Sequence, residues 1–90
     1  MSKIKIEKAT PEKLESLNVD NWSQWSCDVS KFDWEYDTNE TAYLFEGRVT
    51  VTSEDGEIVT FGAGDIVTFP KGLKCTWDVS VLVRKRFKFD

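Results

Sequence analysis

The chain has 90 residues, enough for one small domain whose core buries about 60% of the surface that the unfolded chain exposes. With 40% hydrophobic and 31% charged residues, its composition excludes both a disordered chain and a membrane protein. The formal net charge of −4 argues against nucleic acid, whose phosphates require clustered Lys and Arg. We therefore expect one domain over residues 1–90, with neither nucleic acid nor a membrane as partner.

The first third of the chain predicts short strands and one helix. Residues 3–7 alternate charged and apolar side chains, which is typical of a strand. Thr10 followed by Pro11 predicts the start of a helix over residues 11–17, because Thr caps helices and Pro suits their first position. Residues 22–34 contain alternating and aromatic stretches that predict two further strands.

From Glu40 onward the pattern is that of a β protein. Strands are predicted over residues 40–45, 48–52, 57–61, 66–69, 73–79 and 81–89. A tight turn is predicted at Glu46-Gly47, and Pro70-Lys71-Gly72 is expected to interrupt the sheet. Many short strands with a single helix indicate an all-β sandwich or barrel.

Two stretches raise the question of what covers the outside of the sheet. Residues 42–45 are apolar on both strand faces, so the outer face requires a cover, which the N-terminal segment or a second subunit of a homodimer could supply. Near the C-terminus, the basic cluster Arg84-Lys85-Arg86-Lys88 places Arg84, Arg86 and Lys88 on one strand face. We interpret the face formed by Arg84, Arg86 and Lys88 as a solvated or edge face that discourages strand pairing.

Histidine is absent from the chain, and with it the commonest general acid or base and the commonest transition-metal ligand. The cysteines Cys27 and Cys75 lie far apart, and the N-terminal residues do not form a secretory signal. These features predict a cytoplasmic protein with two reduced thiols.

Two motifs, one from Trp34 to Gly47 and one from Gly64 to Cys75, resemble those of the cupin superfamily. The first has the frame Trp34-x-Tyr36-x-x-x-Glu40 followed by Gly47, and the second runs from Gly64 through Pro70-Lys71-Gly72 to Cys75. The chain is most similar to small single-domain, RmlC-like cupins grouped with ureidoglycine aminohydrolase and ethanolamine-utilisation cupins. The resemblance covers residues 22–89. It implies a cupin-type conical β-barrel, or double-stranded jelly roll, with one short N-terminal helix.

The resemblance also implies that the metal-ligand positions of cupins fall on Trp34, Tyr36, Glu40 and Cys75. Tryptophan offers a metal no lone pair, and a neutral phenol is a poor ligand. Glu40 and Cys75 alone are fewer than the three or four ligands of a stable transition-metal site. We therefore interpret these positions as vestigial and expect neither a tightly bound metal nor another cofactor.

Our leading hypothesis is a binding module for a small polar or aromatic metabolite. The candidate ligand-binding residues are Trp34, Tyr36, Glu40, Cys75 and Trp77. A carboxylate facing the interior of a small barrel is costly unless it is paired, hydrated or used by a ligand, which makes Glu40 the most informative of them. Structural roles remain open for all five residues, as core side chains or as hydrogen-bond partners of one another.

Two alternatives to the binding module remain open at the sequence level. The resemblance implies an enzyme acting on a small carbon–nitrogen or carbohydrate substrate, with Glu40 as general acid or base and Tyr36 as its partner. The other alternative is a structural barrel whose interior is filled by side chains.

Overall fold

The computed structural model describes residues 4–89, which form an all-β fold with one short α-helix. The elements are β1 (Lys5–Lys8), α1 (Pro11–Ser16), a 3-10 helix (Val19–Asn21), β2 (Ser23–Cys27), β3 (Ser30–Glu35), β4 (Glu40–Ser53), β5 (Ile58–Gly62), β6 (Asp65–Phe69) and β7 (Lys74–Phe89). The all-β class and the single N-terminal helix are thereby confirmed. Residue 3, where the first strand was expected to begin, lies outside the described residues.

The helix begins at the predicted position for the predicted reason. The Thr10 hydroxyl accepts a hydrogen bond from the backbone N–H of Lys13 at 3.1 Å, and Pro11 occupies the first turn, where no backbone N–H is needed. Asn18 follows the helix in the left-handed conformation, with a φ of 60°, and leads into the 3-10 helix. No helix in the described part of the chain is long and apolar enough to cross a membrane.

The two long strands β4 and β7 form the centre of the fold. They pair antiparallel from Glu40 opposite Phe89 to Ser53 opposite Cys75. The other edge of β4 pairs with β6 and then with β5, and the other edge of β7 pairs with β3 and then with β2. Because β1 pairs antiparallel with β6, the seven strands of residues 4–89 all belong to one antiparallel sheet.

The turn predicted at Glu46-Gly47 is wrong, because β4 continues through these residues as a bulged strand. The register between β4 and β7 shifts around Glu46 and Arg48, and Gly47 has a φ of 104°. A bulge inserts an extra residue and so reverses which parity faces the interior. Ala42 and Leu44 are accordingly buried before the bulge, and Val49 and Val51 after it.

The end of the chain also differs from the prediction, since the strands expected over residues 73–79 and 81–89 form the single strand β7. Its odd-numbered side chains supply much of the hydrophobic core, including Cys75, Trp77, Val79 and Val83. The Pro70-Lys71-Gly72 break is present and separates β6 from β7.

Part of the outer face is covered from within the chain. Val19, Trp22 and Ile66 are buried but do not belong to the main core cluster. Arg86 on β7 donates a hydrogen bond to the carbonyl of Asp20 at 3.1 Å, which ties the 3-10 helix to the sheet. The N-terminal segment, one of the two alternatives proposed, thus covers part of this face, while Phe45 remains 43% exposed.

Candidate binding cavity

An aromatic cavity of about 200 Å³ lies beside Glu40. It is lined by Trp25, Phe32, Trp34, Tyr36, Glu40, Trp77, Lys85, Phe87 and Phe89. Six of these nine residues are Trp or Phe, and the polar groups converge on the Glu40 carboxylate, the Lys85 ammonium and the Tyr36 hydroxyl. Apolar walls with a few placed polar groups are the usual make-up of a small-molecule site.

Glu40 and Lys85 form an ion pair inside the fold. The Lys85 Nζ donates a hydrogen bond to the Glu40 Oε2 at 2.7 Å. The two side chains are only 7% and 6% exposed, so neither charge is solvated by bulk water. Such a pair is favourable only with good geometry, because both charges lose their hydration.

Three aromatic rings also lie close to the Lys85 ammonium. Its Nζ lies 4.8 Å from the ring centroid of Trp25, 5.0 Å from that of Trp77 and 5.3 Å from that of Phe87. Attraction between a cation and the negative face of an aromatic ring contributes most where water is excluded. The three rings therefore offset part of the cost of burying the ammonium group.

Lys85 does not belong to the basic face predicted for Arg84, Arg86 and Lys88, and it is buried. Arg84 and Arg86 point away from the core, and Arg84 pairs with Glu46 at the surface at 3.2 Å. Lys85 has the opposite parity, which it shares with the core residues Val83 and Trp77. Glu40 is consequently not an isolated acidic group in an apolar interior, because a lysine from β7 neutralises it.

Tyr36 is fixed through both its backbone and its side chain. Its backbone N–H donates to the carbonyl of Leu73 at 2.9 Å, and its ring stacks on Phe69 with centroids 4.7 Å apart. The hydroxyl accepts a hydrogen bond from the indole Nε1 of Trp77 at 3.2 Å. Burial, with the nearby charge of Glu40 as a second cause, raises the pKa of Tyr36 far above its ordinary value, so the phenol stays neutral at physiological pH.

Trp34 lies at the mouth of the cavity and not in the core. Its side chain lines the cavity but is 51% exposed, and its ring meets Tyr36 edge-on with centroids 6.4 Å apart. Phe89 lines the same cavity and is 57% exposed. These two aromatic side chains therefore border the opening of the cavity.

Cys75 is separated from the other four candidate residues. It is buried, yet it lines a different depression, together with Asp33, Thr52 and Ser53, and not the cavity beside Glu40. Burial raises the pKa of the Cys75 thiol to about 11, which disfavours the reactive thiolate. The structure thus brings together Trp34, Tyr36, Glu40 and Trp77, and their roles in binding or catalysis stay predictions.

The raised pKa of the Cys75 thiol should slow its alkylation in the folded protein. In a Cys27→Ser background at pH 8, we expect iodoacetamide to alkylate native Cys75 about a hundredfold more slowly than the same thiol in denaturant, because a pKa raised by two units leaves a hundredth of the thiolate. Mass spectrometry of timed samples measures both rates. Equal rates in the folded and unfolded chain would contradict the raised pKa.

The residues present do not fit the metal centre that the cupin resemblance implies. Cys75 lies outside the cavity, Trp34 offers no lone pair, and the Tyr36 phenol is neutral and already accepts a hydrogen bond. The remaining carboxylate is paired with the ammonium of Lys85. Within residues 4–89, moreover, no three His, Cys, Asp or Glu side chains are grouped so that they could hold a metal ion.

Five residues of the cavity wall were not singled out from the sequence. They are Trp25, Phe32, Lys85, Phe87 and Phe89. A signal for Lys85 was present, since it alternates in phase with the apolar residues Val83 and Phe87. Trp25 faces Lys85 in the pairing of β2 with β7, and Phe32 faces Trp77 in the pairing of β3 with β7, registers that a single sequence does not reveal.

Comparison with known proteins identifies the family. The model of the EutQ-like cupin domain matches residues 14–87. The chain belongs to this cupin family. The assignment confirms the suspected group of small cupins, and it makes the all-β fold a cupin fold. No significant match was found among curated proteins.

Solved structures agree with the family assignment. A DUF861 family protein from Thermotoga maritima is 55% identical, with a TM-score of 0.95, and the match covers 97% of this cupin and 99% of that chain. The EutQ protein of Clostridium difficile is 19% identical, with a TM-score of 0.68 over 96% of this cupin and 66% of that chain. A putative ethanolamine utilization protein Q from Salmonella typhimurium is 23% identical, with a TM-score of 0.63 over 96% and 68% of the two chains. The latter two similarities concern the fold alone.

Proposed function

We propose that this cupin binds a small, neutral, planar molecule carrying a carbonyl or similar hydrogen-bond acceptor, and that it does so without a metal ion. The observation that carries the proposal is the buried Glu40–Lys85 pair at 2.7 Å in the wall of an aromatic cavity. The cavity, at about 200 Å³, is smaller than the sites of drug-sized ligands, so the molecule must be small.

The charge of the site favours a neutral ligand. Glu40 and Lys85 neutralise each other, so a charged ligand would bring an uncompensated third charge into an apolar enclosure. An ammonium group has three N–H donors, of which Glu40 takes one. A ligand carbonyl can accept a hydrogen bond from another of these donors and thereby anchor one end of the molecule.

The shape and chemistry of the walls favour a planar ligand. Trp25, Phe32, Trp34 and Trp77 present aromatic surface to the cavity, and Trp34 at its mouth is exposed enough to move over an incoming ring. Offset or edge-on aromatic pairs stabilise one another by about 0.5–1.5 kcal/mol beyond the burial of their surface. A flat molecule therefore gains more from these walls than an aliphatic one of equal size.

Indole resonances offer a direct test, because three of the four tryptophans line the cavity and Trp22 does not. Titration with benzamide, nicotinamide or acetophenone should shift the NMR signals of the Trp25, Trp34 and Trp77 indole N–H groups and leave that of Trp22 unchanged. Benzoate, which matches benzamide in shape but carries a charge, should bind at least about tenfold more weakly.

Variants of exposed residues sharpen the test. Trp34→Ala should weaken benzamide binding about tenfold through the lost ring contact, with little change in stability because the side chain is half-exposed. Val29→Ala, at an exposed position outside the cavity, is the control and should leave the affinity unchanged. If none of the three neutral probes shifts the cavity indoles, or if Trp34→Ala binds them equally well, the proposed site is incorrect.

The enzymatic alternative uses the same carboxylate, and turnover of a bound probe that is lost in Glu40→Gln would favour it. A filled, purely structural barrel is less well supported, given a cavity of about 200 Å³ beside Glu40. The cytoplasmic location and the homodimer remain proposals.

A further inference from the structure

We propose that Lys85 forms an imine with a small aldehyde or ketone that enters the aromatic cavity, with Glu40 as the group that accepts and returns the proton. The inference rests on the proposed binding site and names the reactive class of its carbonyl ligand. It assigns the buried lysine a chemical role in addition to its structural one.

The position of the Lys85 nitrogen supports this role. Its Nζ lies in the cavity wall, 2.7 Å from a carboxylate oxygen and about 5 Å from the ring centroids of Trp25, Trp77 and Phe87. A carbonyl carbon placed in the cavity would thus find the amine and an acid–base group side by side. Lysines that form imines are activated by such desolvated pockets.

The electrostatics of the cavity make the neutral amine accessible. Burial lowers the pKa of Lys85 from its ordinary value, and the attraction of Glu40 opposes this effect without cancelling it. Transfer of a proton across the 2.7 Å hydrogen bond converts the ionic pair into a neutral amine and a carboxylic acid.

The chemical step balances without any further reactant. The Lys85 amine adds to the carbonyl carbon, forming a nitrogen–carbon bond, and one amine proton passes to the former carbonyl oxygen to give a carbinolamine. The Glu40 carboxylic acid then donates its proton to the hydroxyl group, the carbon–oxygen bond breaks, and water leaves. The products are a protonated imine on Lys85, the Glu40 carboxylate and one water molecule.

The charges before and after the reaction are the same in number and place. An ammonium–carboxylate pair is replaced by an iminium–carboxylate pair, so the enclosure acquires no unpaired charge. The aromatic faces that surround the ammonium would face the iminium in the same way. Glu40 therefore serves as proton donor during the reaction and as counter-ion afterwards.

Reductive trapping tests the proposal on the intact protein. The chain is incubated at pH 7 with acetaldehyde, benzaldehyde or acetone and with cyanoborohydride, whose hydride adds to the iminium carbon and makes the bond permanent. Peptide mapping by mass spectrometry follows the initial rate at each lysine. We expect at least one probe to modify Lys85 about tenfold faster than the exposed Lys31 and Lys71.

Each outcome bears on one of the two proposals. Faster labelling of Lys85 supports the imine, and a Lys85→Arg variant that remains folded should then show only the slow surface labelling. If all three probes label Lys31 and Lys71 at least as fast as Lys85, the imine proposal is overturned, whether or not Lys85→Arg folds. Benzamide cannot form an imine, so shifts of the cavity indoles by benzamide would still uphold the binding site in that case.

Discussion

Replacement of Lys85 by Met should lower the free energy of unfolding by about 3–5 kcal/mol, because it leaves the Glu40 carboxylate buried without a partner. Methionine keeps most of the volume of the lysine side chain, so the loss reports on the charge and not on packing. The aromatic cage around the nitrogen adds to the effect, since its attraction to a cation is lost as well. Urea denaturation followed by tryptophan fluorescence measures the difference.

The neighbouring residue provides a matched control for this experiment. Arg84 pairs with Glu46 at the surface, where both side chains are more than half exposed, and Arg84→Met should change stability by less than about 1 kcal/mol. The double variant Lys85→Met/Glu40→Leu should recover most of the loss, because an apolar pair of similar size can replace a buried ion pair. A Lys85→Met variant as stable as Arg84→Met would show that Glu40 is solvated in solution.

Gly47→Ala should destabilise the fold by about 3 kcal/mol or more, because the bulge of β4 has no room for a side chain. A Cβ atom at this position would overlap the carbonyl oxygen of Leu82 and lie 2.6 Å from the Cα of Val83, both backbone atoms of the paired strand β7. The φ of 104° is in addition unfavourable for any residue with a Cβ. Thermal and urea unfolding of the variant measure the loss.

Gly56→Ala separates the two causes. Gly56 has a similarly positive φ of 91°, but nothing lies within 4 Å of its Cβ position. The substitution should therefore cost only the backbone term, about 1 kcal/mol. If both variants lost the same stability, the close approach of β4 and β7 at Gly47 would be contradicted and only the backbone angle would matter.

The local sequence around Gly47 does not reveal whether the chain turns there or continues as a bulged strand. Glycine next to a polar residue between two apolar runs predicts a turn, because glycine readily adopts the positive φ that such turns require, and Gly47 does have a positive φ. A bulge satisfies the same requirement while the strand continues. The buried side chains switch from even-numbered positions up to Leu44 to odd-numbered positions from Val49 onward. This switch does not tell a turn from a bulge, because both can produce it.

The sequence predicted only some of the residues that form the candidate site. Glu40, Tyr36 and Trp77 stand at positions fixed by the strand period and the cupin motif spacing, and the structure places all three at one cavity. Trp34 has the matching position in the motif but lies at the mouth, where β3 ends at Glu35. Cys75 shares a parity with Trp77, yet it lies beyond the cavity wall along the same strand.

The sequence by itself determined the all-β class, the capped helix and the cupin family, because strand period, turn residues and motif spacing are local properties of the chain. Only the tertiary structure decided that Glu40 is paired, since its partner Lys85 is 45 residues distant. The two side chains reach each other from neighbouring strands, although the register places Phe89 opposite Glu40 and Leu44 opposite Lys85. Strand period alone puts Lys85 on the same face as Val83, but it does not name the partner that makes burial of the lysine charge tolerable. The folded sheet brings the Glu40 carboxylate to 2.7 Å from the Lys85 ammonium and makes this lysine the central cation of the cavity.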